Sequence, residues 1–207
     1  FVYLTQTVVV IKLKEIYNKI IEEIEPQEYE IYSDMDGVLV DFNARYKDLT
    51  GKDPNLHRYI SFKRAQKNPE LSKDEIQAQV NKEFWKPITD EGIGYWEGMD
   101  WMPDGKKYWN YIKKYNPKLL SAPGKISGST KEDPNSREGK RKWAEKNLPG
   151  IEVILASAKT KSNYAKENAI LIDDFASNIK RWEAAGGIGI LHKNANDTIQ
   201  QLKKLGL

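Results

Sequence analysis

Cysteine is absent from the 207 residues, and histidine occurs only as His57 and His192. Without cysteine there are no disulfides, thiolate nucleophiles, or Cys-type zinc or iron–sulfur sites. Two histidines cannot build a multi-histidine metal centre within one chain. Any metal is therefore a hard cation held by oxygen, and acid–base chemistry falls to carboxylates. No apolar run approaches the roughly 18 residues needed to span a bilayer, so no membrane is expected. The opening FVYLTQTVVVIK lacks a basic leader and a small-residue cleavage site, and is not read as a signal peptide. Lack of cysteine suits a reducing compartment, so a cytoplasmic location is expected. The excess of positive charge is small, +3. That is too little to call for nucleic acid, though it favours anionic small molecules.

The hydrophobic content of 39% is enough for a real core. LKEIYNKIIEEIEP has the spacing of an amphipathic helix, with Pro26 beyond its end, so 1–28 reads as an N-terminal helix and extension. EYEIYS follows as a short strand. Four later segments read as buried strands: PKLLS at 117–121, IEVILAS at 151–157, AILID at 169–173 and GIGIL at 187–191. The helical patterns GKKYWNYIKKY, REGKRKWAEKNL, ASNIKRWEAAG and NDTIQQLKKLG separate most of them. Strands alternating with helices predict an α/β fold with a doubly wound parallel sheet. The alternation fails between Asn43 and Met102, where HRYISFKRAQKN and KDEIQAQVNKEFW are helical and no strand is evident. The expectation is a core of 29–42 and 103–207, with 43–102 as a small helical cap inserted after the first strand. Such a cap would sit over the sheet's carboxyl edge, where ligands bind in open α/β sheets.

The chemistry concentrates in IYSDMDGVLVDF, residues 31–42. Asp34 and Asp36 stand two apart, a spacing that sends both side chains the same way while the backbone is extended. Gly37 then allows a tight turn. Two like charges this close need a cation, or one must take up a proton. LIDDF places Asp173 and Asp174 at the end of another apolar strand. If the two strands are parallel neighbours, the acidic pairs meet at one sheet edge and form an oxygen site suited to Mg²⁺. Ser121 ends the strand PKLLS, where its hydroxyl can bond a phosphoryl oxygen. Lys159, just after IEVILAS, is the first choice to neutralise a phosphate at the same edge. Lys161 and Lys140 are alternatives. Trp85, Trp96 and Trp101 lie in the insertion, and aromatic faces stack readily on bases. The segment APGKISGSTKEDPNSREG at 122–139 reads as a long loop.

The order DMDGV, LLS, a lysine, then LIDD resembles the haloacid dehalogenase-like (HAD) phosphohydrolase superfamily, and more narrowly its 5′(3′)-deoxyribonucleotidase branch with phage-encoded relatives. The resemblance spans roughly residues 29 to 192. It implies that Asp34 is a nucleophile forming an aspartyl-phosphate, and that Asp36 protonates the leaving oxygen and then activates water. Ser121 and a lysine would hold the phosphate, and Mg²⁺ would sit on Asp34, the Asp36 main-chain carbonyl and the Asp173/Asp174 pair. Phe42 stands where that branch sets an aromatic against the base. Where the branch often carries a basic residue after the acidic pair, this chain has Phe175, so base and sugar preference do not transfer. The expected activity is a Mg²⁺-dependent phosphatase for a nucleoside monophosphate. Alternatives are a phosphatase of another small phosphometabolite or of nucleic-acid 3′-phosphate ends, and a non-catalytic nucleotide-binding protein.

Overall fold

The computed structural model describes residues 28–207 and the single position Lys12. The expected helix over LKEIYNKIIEEIEP lies outside the described residues.

Five short strands form one parallel sheet: β1 (Glu30–Ser33), β2 (Lys118–Ser121), β3 (Val153–Leu155), β4 (Ala169–Asp173) and β5 (Ile188–Leu191). Their order is β3-β2-β1-β4-β5, so the chain builds outward on one side of β1 and then crosses to the other. Each corresponds to a segment expected from its apolar run. The sequence periodicity also explains why both faces are covered. Ile31, Leu119, Ile170, Ile172 and Ile190 enter one core cluster. Their neighbours Tyr32, Leu120, Ala169 and Leu171 enter a second, with Trp182. Alternation along a strand sends successive side chains to opposite faces, and a parallel sheet needs helices on both. Each fully buried Leu or Ile contributes roughly 1.5–3 kcal/mol, which is why strands of three to five residues suffice.

Four helices follow β1 before the next core helix: α1 (Phe42–Thr50), α2 (Pro54–Ala65), α3 (Lys73–Glu91) and α4 (Ile93–Glu97). Then come α5 (Gly105–Ile112), α6 (Pro134–Asn147), α7 (Ala176–Ala184) and α8 (Ala195–Lys204). The regular elements of the insertion after the first strand are therefore helices, and the expected HRYISFKRAQKN and KDEIQAQVNKEFW helices fall within it. Helix α1 was not evident from periodicity; Asp41 caps it by accepting from the Ala44 amide at 2.8 Å. Helix α3 begins with a Ser72/Glu75 capping box and continues beyond Pro87, past the Trp85 at which its pattern reads as ended. The loop expected at 122–139 is shorter, because α6 starts at Pro134 behind the cap Asp133.

The insertion's two ends are sewn together. Val40 bridges Trp101 in antiparallel fashion, the Asp41 amide donates to Asp100 O at 2.9 Å, and the Met102 amide to Leu39 O at 2.8 Å. Trp96 joins the insertion to the core. A β-carbon on Gly139 of α6 would stand 2.5 Å from the Trp96 Cβ, so only glycine lets the indole lie this close.

Candidate active site

The carboxyl ends of β1, β2 and β4 lie side by side, and each strand ends in or just before a polar residue. Strand β1 ends at Ser33, one residue before Asp34, and the chain then folds into a tight turn. The amides of Val38, Leu39 and Val40 all point to Met35 O, at 3.2, 2.8 and 2.9 Å. Gly37 sits in this turn with φ +74°. Strand β2 ends in Ser121, wholly buried, and β4 in Asp173, also wholly buried.

Two buried lysines divide the acids between them. Lys161 lies 2.8 Å from Asp34 Oδ2 and 2.7 Å from Asp173 Oδ2. Lys140 reaches Asp36 Oδ2 at 2.6 Å, Ser121 Oγ at 2.9 Å and Ala122 O at 2.8 Å. Thus the lysine beside Asp34 is Lys161, and the first choice, Lys159, is exposed. The reason is local. The chain after β3 turns into a short 3-10 helix, Lys161–Tyr164, which buries its first residue. Lys140 comes from the middle of α6, where helix orientation rather than strand position sets its reach.

These contacts push the acids apart. Burial would raise the Asp34 carboxyl, but Lys161 and Lys140, with hydrogen bonding from Lys161 and Ser121, hold it below the ordinary aspartate value. Asp36 moves the other way: burial and the Asp34 charge raise it, and Lys140 only partly offsets them. Its Oδ1 is buried with no hydrogen-bond partner among the described residues. Burial alone would lower the Lys161 ammonium; Asp34 and Asp173 reverse that and hold it charged.

One oxygen each from Asp34, Asp173 and Asp174 lie within 4.8 Å of one another. The arrangement fits a hard divalent cation, because Asp174 has no hydrogen bond or ion pair among the described residues. Burial, then Asp34, Asp173 and Asp36, pushes its carboxyl up to about 7; its ionised form lacks a counter-charge that a cation would supply. Asp173 differs from the expectation of a simple ligand pair. Its oxygens already accept from Lys161 at 2.7 Å, the Phe175 amide at 2.9 Å, and Asn178 Nδ2 at 3.0 and 2.9 Å. Arg181 in turn donates to Asn178 Oδ1 at 2.6 Å, fixing the amide's orientation. Asn178 was missed in the sequence; its only signal was its place one helical turn after the acidic pair. The Asp36 carboxylate binds Lys140 through Oδ2 and lies outside the trio.

The cleft measures about 570 Å³ and is lined by Asp34, Asp36 and Asp174 together with Phe42, Trp85 and Trp96. Phe42 lies 6.4 Å from Trp85 and 6.0 Å from Trp96, ring centre to ring centre. Trp101 does not reach it: this ring packs on Trp143 at 5.0 Å and donates to Asn147. Phe175 stands exposed at the rim.

Among solved structures, the chain is similar to a protein described as the HAD-hydrolase YfnB from Bacillus subtilis, bound to magnesium. The TM-score is 0.51 at 12% identity, over 87% of this chain and 100% of that one. It is also similar to the L-2-haloacid dehalogenase PA0810, with a TM-score of 0.50 at 14% identity, over 84% of this chain and 99% of that one. The fold is that of haloacid dehalogenase-like hydrolases. No family profile matches the sequence, and comparison with curated proteins finds no match. No helix among the described residues is long and apolar enough to cross a membrane.

Proposed function

We propose that this chain is a Mg²⁺-dependent HAD-type phosphomonoesterase acting on a nucleoside monophosphate, with residues 43–102 as its cap. The observation that carries the reading is the meeting at one sheet edge of the Asp34, Asp173 and Asp174 oxygens, with Lys161 on Asp34 and Lys140 bridging Asp36 and Ser121. In that setting the Asp34 carboxyl is lowered and the Asp36 carboxyl raised. Environments that push paired acids apart mark a nucleophile and a proton donor. Asp34 attacks phosphorus and forms an aspartyl-phosphate while the ester P–O bond breaks. Asp36 gives its proton to the departing oxygen. It then accepts a proton from the water that attacks phosphorus and releases Asp34. Splitting the displacement in two lowers each barrier.

Lys161, Lys140 and Ser121 offset the phosphate's charge. Asp34, Asp174 and the Asp36 carbonyl would hold a divalent cation, which supplies Lewis-acid charge neutralisation when bound. Asp173, saturated by donors, positions Lys161. Phe42 and Trp85 form the surface for the base, with Trp96 buried behind them as a packing residue. A halide needs no proton on leaving, so the second carboxylate favours phosphoryl chemistry over C–halogen cleavage. The test is phosphate release from nucleoside monophosphates, sugar phosphates and 3′-phosphorylated oligonucleotides, with and without Mg²⁺, beside halide release from a 2-haloacid. Release of halide without phosphate would overturn the reading.

A further inference from the structure

The helical insertion holds three arginines, Arg45, Arg58 and Arg64. Arg45 pairs with Glu91, and Arg64 with Glu83. Arg58 lines the cleft that contains Asp34 and Asp36, and among the described residues it makes no hydrogen bond or ion pair. Its position comes from aromatic rings instead: the guanidinium carbon lies 3.6 Å from the centre of Phe84 and 6.0 Å from that of Trp85. The guanidinium lies over the Phe84 ring, and none of the described residues uses its five N–H donors. Lys125 lines the same cleft and is likewise without an ion-pair partner among the described residues. The phosphate that reacts already has Lys161, Lys140 and Ser121. Arg58 and Lys125 line the cleft together with Lys193, and among the described residues none of the three is paired with a carboxylate.

We infer that Arg58 and Lys125 form a second anion subsite, so that the preferred substrate carries another phosphate besides the one removed, as a nucleoside 3′,5′-bisphosphate does. This rests on the phosphatase reading for its chemistry, but not for its binding test. The guanidinium fork matches a phosphate bidentately, and a lysine lining the same cleft favours a dianion over the single charge of a diester. A neutral ring edge would leave both cations uncompensated.

The experiment measures binding calorimetrically, with Mg²⁺, in an Asp36→Asn background that slows turnover. The probes are deoxyadenosine 5′-monophosphate, deoxyadenosine 3′,5′-bisphosphate and a 5′-phosphorylated dinucleotide. The bisphosphate should bind about 10–100-fold tighter than the monophosphate, the range of a charged hydrogen bond. Arg58→Ala should collapse that ratio towards one. Arg58→Lys, which keeps charge but loses the fork, should give an intermediate ratio and serves if the alanine variant folds poorly. Arg64→Ala should leave the ratio alone. A ratio near one in the parent, or one unmoved by both Arg58 variants, overturns the proposal. A dinucleotide binding as tightly as the bisphosphate overturns the commitment to a terminal phosphate. If no phosphomonoester is hydrolysed by the wild type but the Arg58-dependent ratio holds, the phosphatase reading falls and the subsite stands.

Discussion

A β-carbon built on Gly37 would stand 2.2 Å from Oδ2 of Asp174. The turn after β1 and the acid after β4 are thus packed backbone against carboxylate, and Gly37 also has φ +74°. Gly37→Ala should cost about 1–3 kcal/mol of stability from backbone strain. It should also displace Asp174 and lower kcat/KM by about 10²-fold, the scale of a misplacement near 1 Å. Denaturant unfolding and steady-state kinetics check the two parts separately. A variant with full activity would mean that Asp174 tolerates displacement and is not a ligand.

Lys161 is 1% exposed between Asp34 and Asp173. Lys161→Met should destabilise by about 3–5 kcal/mol, the range for breaking a buried ion pair. Because the abandoned carboxylates can protonate, the loss should be larger at pH 8 than at pH 5. Lys159→Met should have an effect close to zero. Urea unfolding of both variants at the two pH values decides between the two lysines.

The Asp174 carboxyl lies at about 7 when folded, against 3.8 as a free side chain. A raised folded value means that the native state holds the proton more tightly. Its stabilising contribution is complete below about 3.8 and is lost as pH rises through about 7. Asp36 and Asp173, also raised, act with the same sign, whereas Asp34, lowered, loses its contribution only as pH falls below the ordinary aspartate range. Melting of EDTA-treated protein between pH 5 and 8 should therefore show a falling Tm, with a shallower slope for Asp174→Asn. Adding Mg²⁺ should restore most stability at pH 8, since a cation bound only by the native state stabilises it.

The first two aspartates should fail differently. Asp34→Asn should reduce phosphate release to background at any Mg²⁺ concentration. Asp36→Asn should keep phosphate and Mg²⁺ binding and lose about 10²–10⁴-fold in rate, the usual yield of general acid–base catalysis. That loss should shrink for p-nitrophenyl phosphate, whose leaving group needs little proton donation. Substantial turnover by Asp34→Asn would falsify the aspartyl-phosphate mechanism.

Much of this architecture was legible along the chain, because strands announce themselves locally. Leu119 and Leu120, or Ile170, Leu171 and Ile172, are apolar without a break since both sheet faces are covered, and a carboxylate directly after such a run must lie at the sheet's edge. That reasoning located Asp34, Ser121, Asp173 and Asp174 from sequence alone. It put Lys159 ahead of Lys161, two residues on, and the structure places Lys161 at the acids instead. A 3-10 turn and the packing around it bury one and expose the other. Nor could it see that Asn178 and Phe175 saturate Asp173, that Arg58 has no ion-pair partner among the described residues while Arg64 on the same helix has one, or that Trp101 packs on Trp143 away from the cleft. Strand position follows from local burial, whereas the partner of a long side chain depends on how helices distant in sequence cross, and only the tertiary packing decides that.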